Sequence, residues 1–184
     1  HNKSEEKASA NANRYNLDIF TEKTKASDRA LNQVPCAFRS IIFATRKNFS
    51  RNMTSLEEVF QNNLGYSTSP PSAKDGRLLQ ESLGTTGLWQ KILSRRKIVY
   101  PSSNAAGLEL SSENDLNGAF MWDFSARKFD LKIHRIRELK LASETIWAKT
   151  GESSEKNLSG LQFARFLAAP SKGQFHFAQS GFVG

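Results

Sequence analysis

The clearest pattern in the chain is an alternation of apolar with other residues between positions 119 and 134. Phe120, Trp122 and Phe124 recur at every second position, as do Phe129, Leu131 and Ile133. That spacing predicts two half-buried strands joined by a loop at 125–128. In such a hairpin Phe124 stands opposite Phe129, Trp122 opposite Leu131 and Asp123 opposite Asp130. One face is then apolar, and the other carries Asp123, Asp130, Lys132 and His134.

Elsewhere the apolar spacing is mostly helical. Leu56, Val59, Phe60 and Leu64 follow Thr54-Ser55-Leu56-Glu57, a capping box in which hydroxyl and carboxylate satisfy each other's backbone amides. Gly65 is placed to end that helix in a left-handed turn. Leu78, Leu79 and Leu83 predict a short helix stopped by Gly84, and Leu88, Trp89, Ile92 and Leu93 a second. Ile136, Leu139, Ser143, Ile146 and Trp147 predict a third, and the stretch from Ser154 to Pro170 a fourth. Short strands are expected at 97–100 and 174–178, and 102–117 reads as an acidic loop. Positions 36–47 fit a helix or a buried strand equally.

The organisation that follows is a flexible tail at 1–14, an N-terminal helical segment at 15–66, a linker or loop at 67–76 around Pro70-Pro71, and a main unit at 77–184. The fold class is α+β, with mixed α/β as the alternative: a small antiparallel sheet centred on the 119–134 hairpin and packed by amphipathic helices.

Composition narrows the picture. The 184 residues suffice for one ordinary domain, and thirteen Phe supply large core side chains. No apolar run approaches the roughly 18 residues of a spanning helix. A start at His1 suggests a processed or truncated form, and the single Cys36 gives neither a disulfide framework nor a thiolate zinc site. An interior location is expected, in cytoplasm or organelle. Asn2, Asn48, Asn52 and Asn157 begin Asn-x-Ser/Thr triplets, which an Asn- and Ser-rich chain produces by chance.

Charge changes the picture more. The net charge is +8, and it is segregated. Residues 36–53 hold Arg39, Arg46, Lys47 and Arg51 with no acid, whereas 102–126 hold four acids and no base. Further basic groups are Arg95, Arg96 and Lys97, then Arg127, Lys128, Arg135 and Arg137. Clustered bases read first as phosphate contacts. The leading expectation is therefore a basic nucleic-acid-binding protein, an accessory subunit of a ribonucleoprotein, with no cofactor. An assembly or linker subunit of a large complex, with an acidic protein partner, is an alternative.

Candidate chemistry gathers at Asp115, Asp123, Asp130 and Lys132. Asp115 followed by Asp130-Leu131-Lys132 resembles the core motif of the PD-(D/E)xK nucleases. The resemblance implies two carboxylates holding Mg²⁺, drawn from Asp115 or Asp123 with Asp130, and Lys132 steadying charge at the scissile phosphate. His134 on the same face is a candidate acid–base partner of Asp130. Cys36 beside the first basic cluster reads as a buried structural thiol.

Overall fold

The computed structural model describes residues 17–22, 33–112, 116–150 and 154–182. The expected tail at 1–14 and the candidate Asp115 lie outside these residues. The fold is of the α+β type, with helices packed on mixed sheet, and it divides into two compact units. Arg39–Ser143 forms one; the described residues before and after it form the other. The chain passes between them at 38–39 and again at 143–144.

In the unit containing the termini, β1 (Leu17–Glu22) pairs antiparallel with β7 (Ser143–Thr150), which neighbours β2 (Gln33–Thr45). Where a helical segment was expected from residue 15, Leu17–Glu22 and Gln33–Thr45 are strand, so the ambiguous stretch from 36 is β2 as far as Thr45. The helix expected from Ile136 to Trp147 is instead a single 3₁₀ turn (Arg137–Leu139) followed by β7. Thr145, Ile146, Trp147 and Thr150 are β-branched or aromatic and favour extended backbone. The helix from Ser154 is present as the long helix Ser154–Ala168. The expected strand at 174–178 is the helix Gly173–Gln179. Cys36, 1% exposed, packs with Ala148 and Ala164. Burial pushes its thiol up, away from reactivity.

The Arg39–Ser143 unit carries the larger core. Helix α1 (Leu56–Gln61) starts one residue later than expected: Ser55 is the cap, accepting from the Glu58 amide at 3.3 Å, while Glu58 returns to the Ser55 amide. Leu56, Val59 and Phe60 face the core, and Asn63, not Gly65, takes the left-handed conformation (φ 47°). The expected loop at 67–76 opens with strand β3 (Tyr66–Thr68), turns at the prolines and enters α2 (Lys74–Leu83). Leu78, Leu79 and Leu83 bury as predicted; Gly84 begins a 3₁₀ turn before α3 (Leu88–Arg95). Strand β4 (Ile98–Val99) follows. The expected acidic loop is largely helix α4 (Ser103–Ser111), capped by Ser102. Ala105, Ala106, Leu108 and Leu110 favour helix there, and their buried members face the sheet.

The hairpin is not present. Strand β5 (Gly118–Trp122) runs directly into helix α5 (Asp123–Lys128), and β6 (Lys132–His134) follows. β2 lies between β5 and β6: Phe43 pairs with Phe120 on one side and with His134 on the other. Every residue of β5 is buried, so Phe120 and Trp122 pack in one core cluster while Ala119 and Met121 pack in the other. The alternation was one of size, not of polarity, and a strand buried on both faces is a central strand. β5 is parallel to β3, and β3 is parallel to β4. Phe129, expected opposite Phe124, instead covers Gly107 on α4, where a Cβ would sit 2.3 Å from its ring.

Candidate functional site

Three parallel strands, β3, β4 and β5, end at the same edge of their sheet and lead into α2, α4 and α5. The carboxyl ends of parallel strands are where open α/β sheets place ligands. Here the edge is built from serines and one buried acid. Ser69 follows β3, and Ser102 and Ser103 follow β4. Asp75, 5% exposed, lies in the first turn of α2. Its Oδ2 accepts from the Ser69 hydroxyl at 2.6 Å and from the Ser103 hydroxyl, and its Oδ1 accepts from the Gly76 amide at 3.1 Å. The Ser103 oxygen in turn accepts from the Trp122 amide at 3.0 Å, which draws the end of β5 into the network. One carboxylate therefore ties three strand ends together.

Gly76 makes that approach possible. A Cβ there would stand 2.2 Å from the Pro70 carbonyl oxygen and 2.5 Å from that of Ser69, so only glycine lets α2 begin so close to the turn. The prolines are part of the same device: Pro70 accepts from the Ala73 amide at 2.9 Å and closes the turn. On β3, the Ser67 and Thr68 hydroxyls are fully buried without a hydrogen-bond partner.

A second buried acid, Asp123, starts α5. Its Oδ1 accepts from the Ser40 amide (3.1 Å) and the Phe124 amide (3.0 Å), and its Oδ2 from Arg127 (3.1 Å). Arg39 lies over the Trp122 ring at 4.1 Å. This acid has a basic partner in Arg127, and through the Ser40 amide it holds β2 to α5.

Of the residues expected to carry metal-dependent cleavage, Asp115 lies outside the described residues, and Asp123, Asp130 and Lys132 each have other partners. Asp130 does not face Asp123 across a ladder; it occupies a left-handed turn (φ 51°) and pairs with Lys47 at 2.5 Å on the surface. Lys132 donates to the Phe49 carbonyl at 2.9 Å. Among the described residues no group of three His, Cys, Asp or Glu side chains could hold a metal ion. His134 does not pair with Asp130. It is buried with Nδ1 accepting from the Met53 amide (3.2 Å) and Nε2 2.8 Å from the Thr45 hydroxyl. Desolvation, aided by Lys132, pulls its pKa down to about 4, so the ring is neutral at physiological pH. Because Nδ1 accepts, the proton sits on Nε2.

The basic clusters are largely engaged with the chain itself. Arg46 donates to the Leu110 carbonyl (3.2 Å), Arg51 to Asn62, and Arg95 to the Phe60 carbonyl (3.0 Å). Lys128 lies over Phe129, and Arg137 pairs with Glu138 at 3.1 Å. Arg96 and Lys97 follow α3 and lead into β4. Arg135 lines a surface cavity of about 420 Å³ with Asn52, Met53, Thr54, Ile133 and His134. Sequence reasoning missed the edge built by Ser69, Asp75 and Ser103. The available signal was a proline at each of two strand ends flanked by serines, Ser69-Pro70 and Pro101-Ser102.

No family model and no curated protein matches the chain. Solved structures do. A substrate binding domain assigned to a molybdenum ABC transporter from Clostridium difficile superposes with a TM-score of 0.68 at 13% identity, covering 90% of this chain and 76% of that one. The periplasmic molybdate-binding protein of Azotobacter vinelandii gives 0.58 at 15% identity, covering 96% and 82%. An ABC-type phosphate transport receptor from Vibrio cholerae gives 0.54 at 11%, covering 92% and 80%. These likenesses overturn the reading as a nucleic-acid-binding protein, a nuclease or a linker subunit, with its nucleic-acid and acidic-protein partners and its intracellular location. The basic clusters had suggested phosphate backbones, but the architecture that carries them is of another kind. The chain has the fold of ABC-transporter substrate-binding proteins.

Proposed function

We propose that the chain is the solute-binding component of an ABC transporter, acting outside the cytoplasmic membrane and delivering its solute to a membrane-embedded permease. The observation that carries this reading is the polar edge at the ends of β3, β4 and β5. There Asp75 fixes the Ser69 and Ser103 hydroxyls and, through Ser103, the Trp122 amide. Polar groups fixed in advance lose little freedom when a small solute arrives, which is how a small contact area yields useful affinity. The neighbouring proteins are described as binding molybdate, phosphate and, in one from Pseudomonas aeruginosa, iron, so the fold serves solutes of opposite charge.

Thermal melting of the full chain against molybdate, phosphate, ferric citrate and small ammonium-bearing solutes tests the proposal. A ligand that binds only the folded state at about a hundred times its Kd stabilises by about 2.7 kcal/mol, a shift easily seen. One solute class should raise the melting temperature in a saturable way. A melting temperature indifferent to every member would count against a receptor.

A further inference from the structure

The carboxylate of Asp75 is held by neutral donors, two serine hydroxyls and one amide. No Lys, Arg or His pairs with it among the described residues, unlike Asp123, which has Arg127. Each serine hydroxyl has a single proton, and both direct it at Asp75. What Ser69 and Ser103 have left is acceptor capacity, and Ser103 already uses part of it on the Trp122 amide. A carboxylate has about four lone-pair positions; three are taken, and the fourth, on Oδ1, is open. The edge thus presents acceptors, where an unprotonated oxyanion needs donors.

We propose that Asp75 is a specificity-determining residue, setting this edge to take a solute that donates hydrogen bonds, such as a small ammonium-bearing molecule, and to refuse tetrahedral dianions. This inference rests on the receptor reading above and narrows its solute class. Replacing the carboxylate by an amide brings two N–H donors and lets the serine hydroxyls turn outward. The same edge then becomes donor-rich, the character that oxyanion recognition requires.

The test is calorimetric titration of the full-length chain and its Asp75→Asn variant with sulfate and with molybdate at pH 7.5. The wild-type chain should show no saturable binding of either, and Asp75→Asn should gain at least tenfold in affinity for one. Should Asp75→Asn fail to melt cooperatively, Asp75→Ser, which keeps a small hydrogen-bonding group, takes its place with the same expectation. Equal affinity of wild type and variant for either dianion overturns the role of Asp75 while leaving the receptor reading intact. Absence of any gain in a folded variant overturns it too. Parallel titration of the wild type with small primary amines separates the two ideas, because a receptor of the proposed class binds one of them and loses at least tenfold in Asp75→Asn.

Discussion

Two buried polar clusters in the Arg39–Ser143 unit answer the same physical problem differently. His134 is stripped of charge and then saturated: one ring nitrogen accepts from Met53, the other meets Thr45, and Phe43 and Phe49 flank the ring. Asp75 is buried almost as deeply, at 5% against 2% exposed, yet its partners are all neutral and one acceptor position stays open. A saturated cluster has nothing left to offer and serves the fold. An unsaturated one at the ends of three strands is placed to serve a ligand. The difference lies in the count of donors and acceptors, not in burial.

Breaking the His134 side should give the larger stability effect. His134→Ala removes a ring from between two phenylalanines and orphans the Met53 amide, so unfolding in urea should show a loss of about 4 kcal/mol. Solute preference should not change. Acid should act on the same group. The folded pKa is depressed to about 4 against an ordinary 6.5, so the unfolded chain takes up the proton first. The stabilisation is complete above about pH 6.5 and is lost as pH falls toward 4, by up to about 3 kcal/mol. Denaturation midpoints measured between pH 7 and pH 4 should follow that slope, and His134→Gln should flatten it.

On the Asp75 side, Gly76→Ala drives a Cβ into the Pro70 and Ser69 carbonyls. It should cost about 2 kcal/mol in the same urea assay and also impair solute binding, because α2 must withdraw from the turn. The smallest effect belongs to the surface. Lys47 and Asp130 pair with both side chains mostly exposed, and Lys47→Ala should move stability by less than about 0.5 kcal/mol. A large loss there would show that exposed charge matters more than the comparison allows.

The helices at Leu56–Gln61, Lys74–Leu83 and Leu88–Arg95 were legible because local rules decide them: an apolar stripe in each, and a capping box ahead of the first. β5 was legible as a strand but not as a central one, since Ala119 and Met121 do not announce burial and its partner, β2, lies some 80 residues away in sequence. β7 was misread because Ile146 and Trp147 fit a helical stripe as well as a strand, and only pairing with β1 separates the two. The Asp75 edge was invisible for a related reason. Its members, Ser69, Asp75, Ser103 and Trp122, belong to four elements and share no spacing that a single stretch of sequence could display. The basic clusters were plain in sequence, but charge without geometry did not reveal that Arg46, Arg51 and Arg95 reach to groups on the chain itself.

Calorimetric titration of the full chain and of Ser103→Ala with the solute that most raises the melting temperature tests the central claim directly. Ser103 links Asp75 to the end of β5, so the account predicts one-to-one binding by the wild type and a loss of at least tenfold in the variant. Equal affinity in the two would contradict the placement of the site at this edge.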